Sequence, residues 1–341
     1  MLVTVFIPTG NRAGRLKQFL SSLTHQSCKD FEVVIVDNHS TDNTLRVVKT
    51  YKKKLNIIFL TQATKGLVSA SNQALRQASG DIFVRTDDDV VAEKKWIEEI
   101  INIFLQYHDI GGLTGPAPIP PTYRKNRDLL VFFNQFEKGS LAFKFLGFFY
   151  SHLFLNGAPK KVSAWFESGA FSLGSNYDES RAEPRQDVTN LEPCNYSVRT
   201  KLLHRIGGFN TLYIGIGEYY EADAAFRIRK LGYRLVFDPK VVVHHHPSRQ
   251  GAYTQRGESH FRMSNFIFFY LNHIRVSSFS QMLQFLLYLL FLHSYYFYKF
   301  LKTLDPRQLG AFSGTLRGII LYYQYRSADG FLNRKLRNAQ R

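Results

Sequence analysis

The feature that most limits what this chain can fold into is a regular alternation of short apolar runs with helical repeats over its first 115 residues. Val3–Ile7 reads as a strand, and Leu16, Phe19, Leu20 and Leu23 then recur at helical spacing. Phe31–Val36 is a second strand, followed by a helix from about Thr44 to Lys53, for which Asp42 or Asn43 can supply the cap. Ile57–Leu60, the helix Leu67–Ala78, the strand Ile82–Val84 and the helix Ala92–Tyr107 continue the series. Strands joined through helices must run parallel and be covered on both faces, which predicts an α/β fold with a mostly parallel central sheet. In such a sheet the carboxyl ends of the strands share one rim, where ligands bind.

Three carboxylates, Asp87-Asp88-Asp89, stand where the Ile82–Val84 strand ends. Like charges this close raise one another's pKa unless a cation or hydrogen-bond donors offset them. Oxygen ligands on a divalent metal would provide that offset; a solvated turn capping the next helix is the plainer reading of an isolated triplet. Thr9 and Asp37 end the first two strands and so come to the same rim. Asp37 and Asp42 can also be read as an Asx turn and a cap, and Gly80-Asp81 as a helix stop followed by a strand start.

Taken in order, Pro8-Thr9, Val36-Asp37-Asn38-His39-Ser40-Thr41-Asp42, Gly66 with Asn72, Gly80-Asp81 and Asp87-Asp88-Asp89 resemble the nucleotide-sugar half of family 2 glycosyltransferases, which have the GT-A fold. The resemblance implies a nucleotide-diphosphate sugar donor, of uridine or thymidine, held by Pro8, Thr9, Asp37, Asn72, Asp81, Asp87 and Asp88. It further implies Mn²⁺ or Mg²⁺ on the diphosphate at Asp89. The family often carries Arg before the Asn that Asn72 matches; here Ser71 stands there, and Lys65 is the candidate replacement cation.

Beyond Pro116 the alternation breaks at Pro118, Pro120 and Pro121, and residues 129–150, rich in Phe and Leu, read either as an irregular segment suited to an acceptor-facing surface or as a plain helical excursion with a buried apolar face. Leu191-Glu192-Pro193-Cys194-Asn195-Tyr196-Ser197-Val198-Arg199 and Ile206-Gly207-Gly208-Phe209-Asn210 resemble the family's Asn segment with a downstream Arg and its Gly-Gly-Phe turn. In Tyr220–Arg229 the register of the resemblance places Glu221 where the family has its general base, and Asp223 at the later Asp. An inverting transfer needs such a carboxylate to take the acceptor hydroxyl's proton; helix capping is the structural reading of both. Tyr233–Val243 contains a further strand, closed by His244-His245-His246. Neighbours on a strand face opposite ways, so one strand cannot turn all three to one ion, and alternation favours His244 or His246 as the metal or diphosphate ligand that the resemblance implies.

The charge is +17, and thirteen Lys or Arg against three Asp or Glu place about ten of it after residue 243. Met282–Leu301, dominated by Leu, Phe and Tyr, has four polar interruptions and is flanked by Arg275, Lys302 and Arg307. That pattern suits a helix lying at an anionic membrane surface better than one spanning it, and the tail Arg334-Lys335-Leu336-Arg337 fits the same surface. Two cysteines, Cys28 and Cys194, make no disulfide framework, and the chain opens directly on its first strand, which points to the cytoplasm and the inner membrane face.

The expected organisation is a nucleotide-sugar half at 1–115, an acceptor and catalytic half of the same domain at 116–258, and a helical membrane-associating region at 259–341. The expected activity is inverting transfer of one sugar to a lipid-linked or polysaccharide acceptor. The family's processive Gln-x-x-Arg-Trp signature is absent, and no nucleic-acid motif occurs. The alternatives are a degenerate scaffold of this type that binds membrane or nucleic acid, and a nucleotidyltransferase whose phosphate loop would be Gly10-Asn11-Arg12-Ala13-Gly14-Arg15.

Overall fold

The computed structural model describes residues 1–64, 66–126, 128–247, 258–274 and 276–339, with side chains described except at 124–132 and 328–339. Contacts divide the chain into two compact units: Met1–Phe166, Ala170–Leu212 and Tyr220–Thr254 form the first, and Glu167–Gly169, Tyr213–Tyr219 and Gln255–Arg341 the second.

The first unit begins with β1 (Val3–Thr9), α1 (Ala13–Thr24), β2 (Phe31–Asp37), α2 (Thr44–Tyr51), β3 (Ile57–Thr61), α3 (Leu67–Gln77) and β4 (Ile82–Thr86). It continues through β5 (Val90–Ala92), α4 (Trp96–Gln106), β6 (Ile110–Thr114), α5 (Asp128–Lys138) and α6 (Leu141–Phe154). It closes with β7 (Gln186–Asp187), β8 (Asn195–Arg199), α7 (Thr200–Arg205), α8 (Tyr220–Lys230), β9 (Arg234–Phe237) and β10 (Val243–His245). The main sheet has the order β3-β2-β1-β4-β8-β6-β9-β7. Strands β3, β2, β1 and β4 are mutually parallel, as the alternation requires, and β8 enters antiparallel between β4 and β6.

Side-chain alternation divides the core between two faces. Val3, Val5 and Ile7 of β1, with Val33, Ile35, Ile82 and Val84, pack against Leu16, Phe19 and Leu20 of α1 and Trp96 and Ile100 of α4. On the other face Phe6 stacks toward Phe83, Phe83 toward Phe209, and Phe209 toward Tyr220, at centroid distances of 5.8, 6.2 and 5.2 Å.

Two local expectations change. The helix read as starting at Ala92 starts at Trp96, because Val90–Ala92 pair with Val243–His245 as a separate antiparallel ribbon. The stretch Tyr233–Val243, read as containing one further strand, holds β9 and the first residue of β10, separated at Asp238-Pro239-Lys240, where Asp238 accepts the Lys240 N–H at 2.9 Å. Residues 128–154 are two helices, the helical rather than the irregular one of the two readings of that segment.

The Asn195 and Arg199 motif is built into this frame. Asn195, fully buried, donates from Nδ2 to the carbonyls of Pro116 and Val241 and accepts the indole N–H of Trp96 at 2.9 Å. Arg199 donates to the carbonyls of Ile110, Phe104 and Tyr107, closing the end of α4.

The second unit contains α9 (Ser259–His273), α10 (Phe279–Thr303) and α11 (Gly310–Ala339). Gly310, Gly314 and Gly318 lie four apart on α11 and face α9 at His260, Ser264 and Ile267; a Cβ on Gly314 would overlap the His260 carbonyl. The two backbones therefore approach more closely than any larger side chain allows. No described helix is long and apolar enough to cross a membrane.

Because Asn195 satisfies three buried polar groups at once, Asn195→Ala is expected to lower the unfolding free energy by roughly 2–4 kcal/mol, read from the shift of a urea midpoint.

Candidate functional site

Parallel pairing fixes the rim. Thr9 lies opposite Asp37 in the β1–β2 register, and β4 delivers the Asp triplet one strand over. Each carboxylate of the triplet has a different neighbour. Asp88, almost fully buried, accepts the Thr9 hydroxyl at 2.8 Å and the Arg12 guanidinium at 2.9 Å. Burial pushes its pKa up to about 7; Arg12 pulls the other way without cancelling the loss of water, and Asp89 adds to the rise. Asp89 lies 3.3 Å from Arg12 and 3.4 Å from Nε2 of His245. Asp87 pairs with Arg85 at 2.9 Å.

Arg85 is the buried hinge of the site. Its guanidinium donates to the Pro193 carbonyl as well as to Asp87. Burial alone would weaken its charge, yet Asp87 and, beyond Tyr220, Glu221 raise its pKa well above the ordinary value. The guanidinium thus links the triplet electrostatically to the first turn of α8. Glu221 and Asp223 are both buried there, where the helix N-terminus favours carboxylates. Asp223 is bonded to Arg227 at 2.7 Å, and Arg227 also donates to the carbonyls of Ile206 and Gly208. Asp223 is therefore tied into the Gly-Gly-Phe turn, whereas Glu221 shares the neighbourhood of Arg85.

Among the described residues, Asp87, Asp89 and His245 offer ligand atoms that all lie within 4.8 Å of one another. Two carboxylate oxygens and one imidazole nitrogen are a usual ligand set for a divalent ion, and Nδ1 of His245 is buried with no hydrogen-bond partner among the described residues. The donor chemistry of the trio fits a divalent ion. Alternation selects His244 or His246, but the β10–β5 register sets His245 opposite Val90 and therefore beside Asp89. His244 turns to Glu93 at 3.1 Å, and His246 stacks on Tyr123 at 5.2 Å. Burial and then the nearby charge of Arg15 hold His246 below the ordinary histidine range.

The remaining sequence candidates separate. Pro8, Thr9, Asp37 and the triplet come to one rim; Asp37 there accepts both the backbone N–H and the hydroxyl of Ser40, three residues on. Asp81 lies at the opposite end of β4, where its carboxylate accepts the Leu2 N–H, so the strand's length separates it from the triplet. Asn72 exchanges two hydrogen bonds with the Phe209 backbone, at 2.8 and 2.9 Å, and Gly208 leaves room for it, since a Cβ there would stand 2.7 Å from its Oδ1. Ser71 bonds the Tyr220 hydroxyl at 2.9 Å. Lys65 lies outside the described residues. Arg12, Arg85 and His245 are the members of the cluster that sequence reasoning did not select; the demand for positive charge beside the triplet pointed toward both arginines.

Residues 4–157 match the family model described as glycosyl transferase family 2. An uncharacterized glycosyltransferase of Bacillus subtilis, YfnE, is 37% identical over 103 residues, which are 30% of this chain and 26% of that protein. The chain spans about a quarter or less of the length of the curated relatives it matches. Among solved structures, the Pyrobaculum calidifontis mannosyltransferase PcManGT, in complex with GDP-Man and Mn²⁺, aligns at a TM-score of 0.52 with 23% identity, over 81% of this chain and 65% of that one. Staphylococcus aureus TarS 1-349, in complex with UDP-GlcNAc, aligns at 0.56 with 17% identity, over 96% and 92% of the two chains. These likenesses are of fold.

Asp89→Asn and His245→Ala are each expected to weaken Mn²⁺ binding by at least about tenfold in an electron paramagnetic resonance titration, with His244→Ala unchanged.

Proposed function

The chain belongs to the family 2 glycosyltransferases through the GT-A domain that begins at residue 4, and from that premise we propose that it transfers a single sugar from a nucleotide-diphosphate donor, with inversion, to a glycan or lipid-linked acceptor. The observation that carries this reading is the convergence of Asp87, Asp89 and His245 beside the rim formed by Thr9 and Asp37. A uridine or thymidine diphosphate sugar would lie along that rim, with its base toward Asp37 and its diphosphate toward Asp87, Asp89 and His245. A divalent ion bound there supplies positive charge against the diphosphate.

The chain's own groups do the rest. Arg12, paired with Asp88 and Asp89, and Arg85, paired with Asp87, hold the triplet's carboxylates in orientation. Glu221 takes the proton from the acceptor hydroxyl as that oxygen bonds to the anomeric carbon from the face opposite the departing diphosphate. The carbon–oxygen bond to the diphosphate breaks with its electron pair, so no covalent sugar–enzyme intermediate is needed. Asp223, already paired with Arg227, holds the first turn of α8 in place.

The second unit suits attachment to an anionic membrane on its cytoplasmic side. Phe279, Leu283, Leu286, Leu290, Phe297 and Leu301 of α10 are exposed, and Lys299 and Lys302 stand near its end. Arg275 lies outside the described residues, and the side chains of the Arg334–Arg337 tail are likewise not described.

Asp89→Ala is expected to abolish donor binding in a calorimetric screen of UDP- and dTDP-sugars with Mn²⁺, and Glu221→Gln to keep binding while lowering turnover at least about a hundredfold. Wild-type protein that binds no donor with either Mn²⁺ or Mg²⁺ would refute the catalytic reading.

A further inference from the structure

Helix α6 in the first unit is exposed in an unusual way. It touches its neighbour α5 through Gly147 and Tyr150, with Phe154 buried against Tyr150: Gly147 lies flat on Phe136, and Tyr150 packs on Phe133 and Phe136 at 6.1 and 5.6 Å. The side facing solvent is apolar apart from His152, whose ring lies against Phe148 at 4.1 Å. Leu141 is 84% exposed and Phe145 66%, and Leu146, Phe148, Phe149 and Leu153 are also exposed. At 100° per residue these six side chains cover a continuous arc of about 160°, opposite the buried pole. Phe145, Phe148 and Phe149 touch one another in edge-on pairs, making one aromatic patch.

We propose that this face is a lipid-docking surface: α6 lies in the headgroup region of an anionic bilayer and holds the catalytic unit against it, independently of α10. Three observations favour this occupant. A partner helix engages a narrow seam, and this arc is far wider. The helix has no carboxylate, while Lys144 lies near the edge of the arc and Lys138 and Lys161 are exposed near its ends; Lys160, also there, is paired with Glu137 at 3.0 Å. A second copy of the same face would set lysine against lysine, whereas anionic headgroups complement that border and the aromatic face enters the acyl boundary. Finally, 14 residues extend about 21 Å, short of a hydrocarbon core of about 30 Å, so the helix lies on the membrane rather than across it. The inference goes beyond the transferase reading and does not rest on it, since lipid binding needs neither donor nor metal.

The test uses the full chain with phosphatidylcholine vesicles, with and without an equal amount of phosphatidylglycerol. Co-sedimentation with the anionic vesicles is expected to fall at least about tenfold in the double variant Phe145→Asp/Phe149→Asp, in addition to any loss in Leu286→Asp/Leu290→Asp on α10. Phe148→Trp reports from the face itself, and its emission should shift to the blue with anionic vesicles and be quenched by brominated acyl chains. Wild-type protein that ignores vesicles, a Phe148→Trp probe that does not respond, or vesicle binding that survives the α6 double variant would each overturn the proposal. So would a wild-type dimer that becomes monomeric on the α6 substitutions, which would assign the face to a second copy.

Discussion

Confining three adjacent carboxylates to the end of one strand is the constraint on which the rest of this site depends. Water is scarce there, so each charge needs a specific partner, and the chain provides these from three distant places. Arg12 comes from the turn after β1, Arg85 from within β4 itself, and His245 from the ribbon that pairs with β5. The two guanidiniums hold the triplet in different directions, with Asp88 turned toward β1 and Asp87 toward β8 through the Pro193 carbonyl. Asp89, between them, meets the imidazole. Sheet registry thus sorts three chemically equal residues into three environments.

The same registry explains why elements far apart in sequence belong to one compact unit. Strand β8, inserted antiparallel between β4 and β6, brings Asn195 under Trp96 and Arg199 to the end of α4. The Gly-Gly-Phe turn is joined to α3 by Asn72 and to α8 by Arg227, so the helix that carries Glu221 is braced from two sides. Much of what resembles a ligand-binding motif in the sequence is, in this chain, the frame that holds the ligand-facing groups still.

The alternation of strand and helix made the first half of the sheet legible, because burial on both faces leaves little choice of period there. The carboxylate rim followed from it, since parallel strands end together. Asp81 shows where that logic stops: proximity in sequence to the triplet says nothing about which end of a strand a residue occupies. The histidine run shows another limit. Alternation correctly separates His245 from its two neighbours, but which face looks at Asp89 depends on pairing with β5, a strand three residues long that the pattern assigns to a helix. The segment after Pro116 was opaque for a different reason, since α6 is apolar nearly all round and carries almost no periodic signal.

The glycines of α11 have a consequence for how the second unit fixes its own alignment. A ladder of identical rungs four residues apart is degenerate: sliding the helix by one turn sets glycine against the same groove again and forfeits a single rung. Backbone proximity therefore gives closeness without position. Position comes from the few directional contacts beside the ladder, where His260 meets Ser313 at 2.8 Å, Arg317 meets Ser264 at 2.8 Å, and the Ser259 hydroxyl meets the carbonyls of Arg307 and Gln308. These polar pairs act as the detents of a sliding joint, and the helix pair is aligned by hydrogen bonds that contribute little to its cohesion.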